Sequence, residues 1–150
     1  MNLAFFLKPK SMVTYLFNDY SLRKGLAKLL ESGFSALAVL DREGKYVGVV
    51  SEGDFLRYLA DRPHTAEELH ETKLSCIMHT DRAKAVPVTT SMEELLCLAA
   101  EQNFVPVVDD FDSFIGIVRR SDIIRYFASG ESASAAIYVG HCPTPRQEPS

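Results

Sequence analysis

The chain has 150 residues, 47% hydrophobic and 24% charged, a balance that suits a globular protein able to build a core without disulfides. Sixteen Lys and Arg against 20 Asp and Glu leave a net charge of −4, which argues against binding a nucleic-acid polymer, whose phosphates reward a basic surface. No stretch approaches the ~20 consecutive apolar residues of a membrane-spanning helix, so no membrane association is expected.

In chain order, the opening MNLAFFLKPK has five apolar residues in a row with its lysines after them. A secretory signal has a longer apolar run with positive charge ahead of it, so a cytoplasmic protein is expected. SLRKGLAKLLESG follows, with Leu22, Leu26, Leu29 and Leu30 at helical spacing. Ser21 is placed as its N-cap and Gly33 just past its end. The short apolar run Ala36 to Leu40 reads as a strand, a polar turn leads to a second strand from Tyr46, and a short helix runs to Ala60. RPHTAEELHETKLSCIM reads as a helical connector over residues 61–80. SMEELLCLAAEQN then repeats the first helix, with Met92, Leu95, Leu96 and Ala99 on one face and Ser91 and Glu94 at capping-box spacing. Cys97 falls in that apolar pattern and reads as core. A strand from Phe104 to Val108, a turn, a strand from Phe114 and a helix to Ala128 complete the pattern, and residues 129–150 read as a disordered tail rich in Ser and Pro. Cys76, Cys97 and Cys142 are too few and too scattered for a disulfide framework, which also suits a reducing cytoplasm.

The chain is an internal duplication. Tyr46–Ala60 and Phe114–Ala128 match without a gap at Gly48/Gly116, Val50/Val118, Asp54/Asp122, Arg57/Arg125, Tyr58/Tyr126 and Ala60/Ala128. The second copy is two residues shorter between its first helix and the following strand. Each unit reads strand, helix, strand, strand, helix, and its short closing helix has an apolar face that it cannot bury alone. Packing the two units about a pseudo-twofold axis answers that need.

Two such units, each with an apolar run ending in Asp (ALAVLD, VPVVDD) and a second strand ending in a glycine-bearing corner with Asp, resemble a tandem pair of CBS domains, a Bateman module. The resemblance covers roughly residues 10 to 128. It implies a mixed α/β (α+β) fold, with repeat 1 and its lead-in over residues 1–60 and repeat 2 over 81–128. It further implies a regulatory module that binds AMP, ADP, ATP, cyclic di-AMP or S-adenosylmethionine between the repeats, dimerises, and signals to an effector protein. The regulatory ligand would be an adenine nucleotide, with no catalytic cofactor, no metal and no enzyme activity.

The family's Ser/Thr-x-x-Asp signature stands here as Ser51-Glu52-Gly53-Asp54, and the second copy departs from it as Arg119-Arg120-Ser121-Asp122. A strand-to-helix corner offers free backbone N–H groups to a phosphate, a hydroxyl can join them, and a carboxylate can accept the hydroxyls of a ribose. Arginine replaces the small hydroxyl with a charged fork suited to phosphate-rich ligands. Carried over from the family, cleft one takes Thr14, Ser35 and Ala36 from repeat 1 with Arg119, Arg120, Ser121 and Asp122 from repeat 2. Cleft two takes Lys84, Asn103 and Phe104 with Ser51 and Asp54. Ala36 leaves room for a base, whereas Phe104 either fills the space or offers a ring to stack on, and cleft one is expected to be the main site.

Plainer readings stand beside these. Asp54 and Asp122 lie in the first turn of a helix and can pair with Arg57 and Arg125 at i+3. The two adjacent arginines can be a solvated pair, and Asp109-Asp110-Phe111-Asp112 lacks the Gly and Glu of a calcium loop and reads as a turn. Cys76 and His79, with His141 and Cys142, form a weak zinc or thiol-enzyme candidate. The main rival is a dimeric interaction module with degenerate clefts.

Overall fold

In a computed structural model, which describes residues 2–129, a short strand β1 (Lys8–Pro9) precedes two sets of the same five elements. The first is β2 (Tyr15–Phe17), α1 (Leu22–Ser32), β3 (Ala36–Leu40), β4 (Tyr46–Ser51) and α2 (Glu52–Asp61). A connector carrying α3 (Ala66–Glu71) leads to β5 (Val86–Pro87), α4 (Met92–Glu101), β6 (Phe104–Val108), β7 (Phe114–Arg119) and α5 (Arg120–Ala128). This is the expected α+β fold of two β-α-β-β-α repeats. The expected tail lies, beyond Ser129, outside the described residues.

Local chemistry sets the helix ends. The Ser21 hydroxyl accepts the Lys24 N–H at 3.1 Å and Gly33 closes α1 at φ 76°, the left-handed conformation that glycine adopts without cost. The Ser91 hydroxyl accepts the Glu94 N–H at 3.1 Å. Each hairpin turn is held by one aspartate: Asp41 Oδ1 accepts from the N–H groups of Glu43 and Lys45, and Asp109 Oδ1 from those of Phe111 and Ser113. The acidic run after Val108 is therefore a turn, as its residue types suggested.

The duplication extends to register. In each repeat the first strand runs parallel to the second, and the second antiparallel to the third. Ala36 pairs with Ser51 and Phe104 with Arg119, and a bulge falls at Val39/Leu40 and again at Val107/Val108.

The segments that precede each repeat pack on the other one. Leu3 and Phe6 join the core of the second repeat, with Leu95, Val105 and Val118, and β1 pairs antiparallel with β7. Leu74 of the connector joins Leu16, Leu29 and Val50 in the core of the first, while Val49 and His79 exchange backbone hydrogen bonds of 2.9 and 2.8 Å. The lead-in assigned by sequence to repeat 1 thus belongs in space to repeat 2. The matched glycines permit both crossings: a Cβ on Gly48 would lie 2.5 Å from the His79 carbonyl oxygen, and one on Gly116 2.1 Å from that of Lys8. Fully burying a leucine such as Leu3 or Leu74 contributes roughly 1.5–3 kcal/mol, so each crossing is anchored by packing as well as by backbone bonds.

The two sheets face each other through Ala38, Leu40, Phe114 and Ile117, and the hairpin tips interlock. The Tyr46 N–H donates to the Asp112 carbonyl at 3.3 Å and the Phe114 N–H to that of Gly44 at 2.9 Å. Tyr46 stacks on Phe114 with ring centroids 6.4 Å apart, and its hydroxyl donates to the Ala83 carbonyl at 2.7 Å. Burial pushes the Tyr46 phenol well above its usual pKa, so it stays a donor.

Candidate functional site

A cavity of about 280 Å³ lies where β3 of the first repeat approaches β7 and α5 of the second. Thr14, Ser35 and Ala36 line one side, with Val13 and Phe34, and Arg119, Arg120 and Ser121 line the other, with Ile124. Six of the seven residues assigned to cleft one therefore meet around one space. The seventh, Asp122, stands behind Arg119 and is not part of the wall.

Asn103 and Phe104, assigned to cleft two, line this same cavity. The register explains why. Phe104 is the antiparallel partner of Arg119, so its ring and that corner belong to the same end of the sheet. The Arg120 N–H donates to the Asn103 carbonyl at 3.0 Å, which brings Asn103 to the same wall. Ala36 and Phe104 thus flank one space instead of marking two different ones.

The charged wall is ordered by its own neighbours. Arg119 Nε donates to Asp122 Oδ2 at 2.9 Å and Nη2 to Oδ1 at 3.0 Å, a two-pronged pair, and Arg125 Nη1 donates to the same Oδ1 at 3.2 Å. The Arg119 fork holds the Asp122 carboxyl below the usual aspartate range, against an opposing push from burial, with Lys8 and Arg125 assisting. Arg119 is the N-cap of α5 and its side chain accepts nothing there, so this helix start lacks a side-chain cap. Arg120 donates from Nε to the Ala99 carbonyl at 2.7 Å and from Nη2 to that of Ala100 at 3.2 Å. The pair is therefore neither free nor merely solvated, although both residues line the cavity.

The matching corner of the first repeat is closed. The Ser51 hydroxyl accepts the Asp54 N–H at 3.3 Å while Asp54 Oδ2 accepts the Ser51 N–H at 2.8 Å, a reciprocal capping box. Asp54 Oδ1 also accepts from Arg57 at 2.6 Å and faces His79 Nε2 at 2.8 Å, and Arg82 Nη1 stands 3.7 Å away. The Asp54 side chain is 3% exposed. Its burial pushes the carboxyl up, but the Ser51 N–H and hydroxyl, Arg57 and His79 together hold it below the usual range. A carboxylate so saturated fastens the connector to the first repeat, and the i+3 pairing expected of Arg57 is one of its bonds. Lys84, also assigned to cleft two, is exposed; its backbone N–H donates to Gln102 Oε1 at 3.0 Å.

Among the described residues no three His, Cys, Asp or Glu side chains gather as a metal set. Cys76 is exposed, His79 is held by Asp54, and His141 and Cys142 lie outside the described residues. Cys97, expected in the core, is half-buried. No described helix is long and apolar enough to cross a membrane. Sequence reasoning missed Phe34 and Ile124 as apolar walls and His79 and Arg82 as partners of Asp54. The i, i+3 spacing after Ser51 signalled the capping box, but no local pattern signalled the connector's arrival.

The sequence profile of the CBS domain matches this chain twice, over residues 10–61 and 74–129. The Listeria monocytogenes CbpB protein, solved in complex with c-di-AMP, superposes with a TM-score of 0.78 at 25% identity, over 87% of this chain and 98% of that one. A CBS domain protein from Streptococcus pneumoniae gives 0.78 at 23% identity, over 84% and 86%. Among curated proteins, the L-aspartate semialdehyde sulfurtransferase of Methanocaldococcus jannaschii is 26% identical over 110 residues, 73% of this chain. The matched part is 20% of that protein, and the chain spans 12% of the A-adding tRNA nucleotidyltransferase of Aquifex aeolicus, to which it is 31% identical over 105 residues.

Proposed function

The chain belongs to the CBS domain family, and from that premise we propose that it is a regulatory sensor of an adenine nucleotide, with cyclic di-AMP the first candidate. The observation that carries this is the cavity between the repeats, which opposes the apolar Phe34 and Ala36 to the cationic Arg119 and Arg120, with the Phe104 ring beside the arginines. A base needs a flat apolar slot and a phosphate needs charge-assisted donors. At about 280 Å³ the space is at the small end of small-molecule sites, roughly 300–1,000 Å³, and suits one nucleoside with its phosphate at the arginine wall, a mononucleotide or one half of cyclic di-AMP. Thr14, Ser35 and Ser121 would supply polar contacts at its rim, and Asp122 acts through Arg119. The complex of Listeria CbpB with c-di-AMP supports the choice of ligand.

The reading makes the protein a binding module and not an enzyme, acting through an effector protein in the cytoplasm, where adenine nucleotides are abundant. Leu30 of α1 and Leu56 and Leu59 of α2, exposed in the single chain, support a homodimer. Light scattering should then give about twice the 16.7 kDa chain mass. The deciding experiment is calorimetric titration and thermal melting with cyclic di-AMP, ATP, ADP, AMP and S-adenosylmethionine. Binding of at least one at micromolar concentration, weakened by loss of Arg119, is the expected result. No heat and no shift in melting with any of them at millimolar concentration would leave a dimeric interaction module with degenerate clefts.

A further inference from the structure

Arg120 stands between two spaces. It lines the cavity between the repeats, and it also lines a second cavity of about 300 Å³ between α4 and α5, where its neighbours are Leu96, Ala99, Ile123 and Ile124. Its Nε and Nη2 bonds end on the carbonyls of Ala99 and Ala100, in the last turn of α4. Those are groups that a helix leaves without internal partners.

The first repeat closes its matching helix differently. There Gly33 takes the left-handed conformation, its N–H donates to the Leu30 carbonyl, and the Ser32 hydroxyl donates to that of Leu29 at 2.7 Å. The residue matching Arg120 is Glu52, whose N–H keeps the equivalent backbone bond, 2.8 Å to the Ser35 carbonyl, but whose side chain could not donate to a helix end. The second repeat is shorter by two residues at this point and has no glycine there, and a guanidinium closes the helix instead.

Charge separates Arg120 from its neighbour. The Arg119 charge is matched by Asp122, whereas among the described residues Arg120 forms no ion pair and meets only carbonyl dipoles. Its Nη1 is engaged in neither of the α4 bonds. The side chain is thus fixed on one side and carries an unmatched positive charge on the other.

We propose that Arg120 is the residue that reads the ligand's negative charge and transmits its arrival to the α4–α5 pair; this rests on the nucleotide site proposed above. A phosphate accepting from Nη1 leaves Nε and Nη2 on the Ala99 and Ala100 carbonyls. A guanidinium held from both sides gives up fewer rotamers each time it clasps the helix, so ligand binding tightens the end of α4. Arg119, by contrast, is held by Asp122 and has no bond to α4, so it contributes affinity without the transmission.

The test pairs calorimetry with hydrogen exchange in the last turn of α4, where the Gln102 N–H donates to the Leu98 carbonyl. Cyclic di-AMP is the probe, and wild type, Arg120→Gln, Arg120→Lys and Arg119→Gln are compared, with thermal melting to check folding. In wild type, saturating ligand should slow exchange at residues 99–102. Arg120→Gln should bind at least about tenfold more weakly, the scale of one charge-assisted bond, and show no slowing even when saturated. Arg120→Lys, which keeps the charge without the fork, should recover part of the affinity but not the slowing. Arg119→Gln should lose less affinity than Arg120→Gln and keep the slowing. A wild type that binds while Arg120→Gln binds within twofold, or slows α4 exchange equally when saturated, would overturn the inference and leave the nucleotide site standing. Absence of binding by the wild type to cyclic di-AMP and to the rest of the panel would overturn both.

Discussion

The Ser51–Asp54 and Arg119–Asp122 corners occupy the same place in two copies of one unit, and they do opposite things. In the first, hydroxyl and carboxylate cap each other and the carboxylate collects Arg57 and His79, so the corner is sealed. In the second, arginine stands where the hydroxyl would be, the carboxylate is spent on orienting it, and the helix start has no side-chain cap. The comparison teaches that a duplicated motif marks a duplicated scaffold. Which copy faces an open cavity depends on what the rest of the chain brings to it.

The comparison breaks most visibly at the two aspartates. Asp54→Ala removes a buried acceptor of several donors and should destabilise the protein by about 3 kcal/mol, a fall in melting temperature of about 6–12 °C. Asp122→Ala, whose pair is partly exposed, should cost about 1 kcal/mol or less and act mainly on nucleotide affinity. If Asp54→Ala melted like wild type but no longer bound nucleotide, the sealed corner would be the ligand site. The two crossing points form a second matched pair. Gly48→Ala and Gly116→Ala each drive a Cβ into a carbonyl oxygen and should each cost about 2 kcal/mol, measured by urea unfolding. An effect at only one of them would show that the crossings are not equivalent.

Swapping the corner chemistry sharpens the contrast further. Arg119→Ser restores the hydroxyl of the first repeat and should weaken binding of a phosphate-bearing nucleotide about tenfold, or ~1.4 kcal/mol, while changing stability by less than that. That loss should shrink as salt rises. Ser51→Ala should cost about 1 kcal/mol of stability through the lost cap and leave nucleotide affinity unchanged.

The smallest effect near neutral pH is the titration of the sealed corner. The folded Asp54 carboxyl lies below its unfolded value, so its contribution is complete above the unfolded pKa and is lost as pH falls through the folded one. Stability measured from pH 5 downward should therefore drop more in wild type than in Asp54→Asn, and parallel curves would show that the carboxylate is not held as described.

Much of the scaffold was legible in the chain. The gapless match of Tyr46–Ala60 with Phe114–Ala128 gave the repeat, the leucine stripes gave α1 and α4, and Ser21, Gly33 and Ser91 marked their ends, because each depends on residues within a turn or two of one another. For the clefts the chain offered only the family resemblance: six of the seven residues it placed in cleft one line one cavity, whereas two of those it placed in cleft two line that same cavity. Phe104 and Asn103 were assigned by analogy between the copies, whereas the pairing of Phe104 with Arg119 puts them beside the arginines.

By itself the sequence determined the two units, their helix caps and turns, and the replacement of Ser51 by Arg119, all of which rest on short-range hydrogen bonding and hydrophobic period. Only the tertiary structure decided the fates of the corners. His79 and Arg82 reach Asp54 from 25 or more residues away along the chain, because Gly48 lets the connector lie against β4. Arg120 reaches α4 from 20 residues away, because the antiparallel pairing of β6 and β7 returns the chain to that helix end. Such contacts are fixed by how whole elements pack, and a local pattern of residue types carries no record of which distant side chain will arrive.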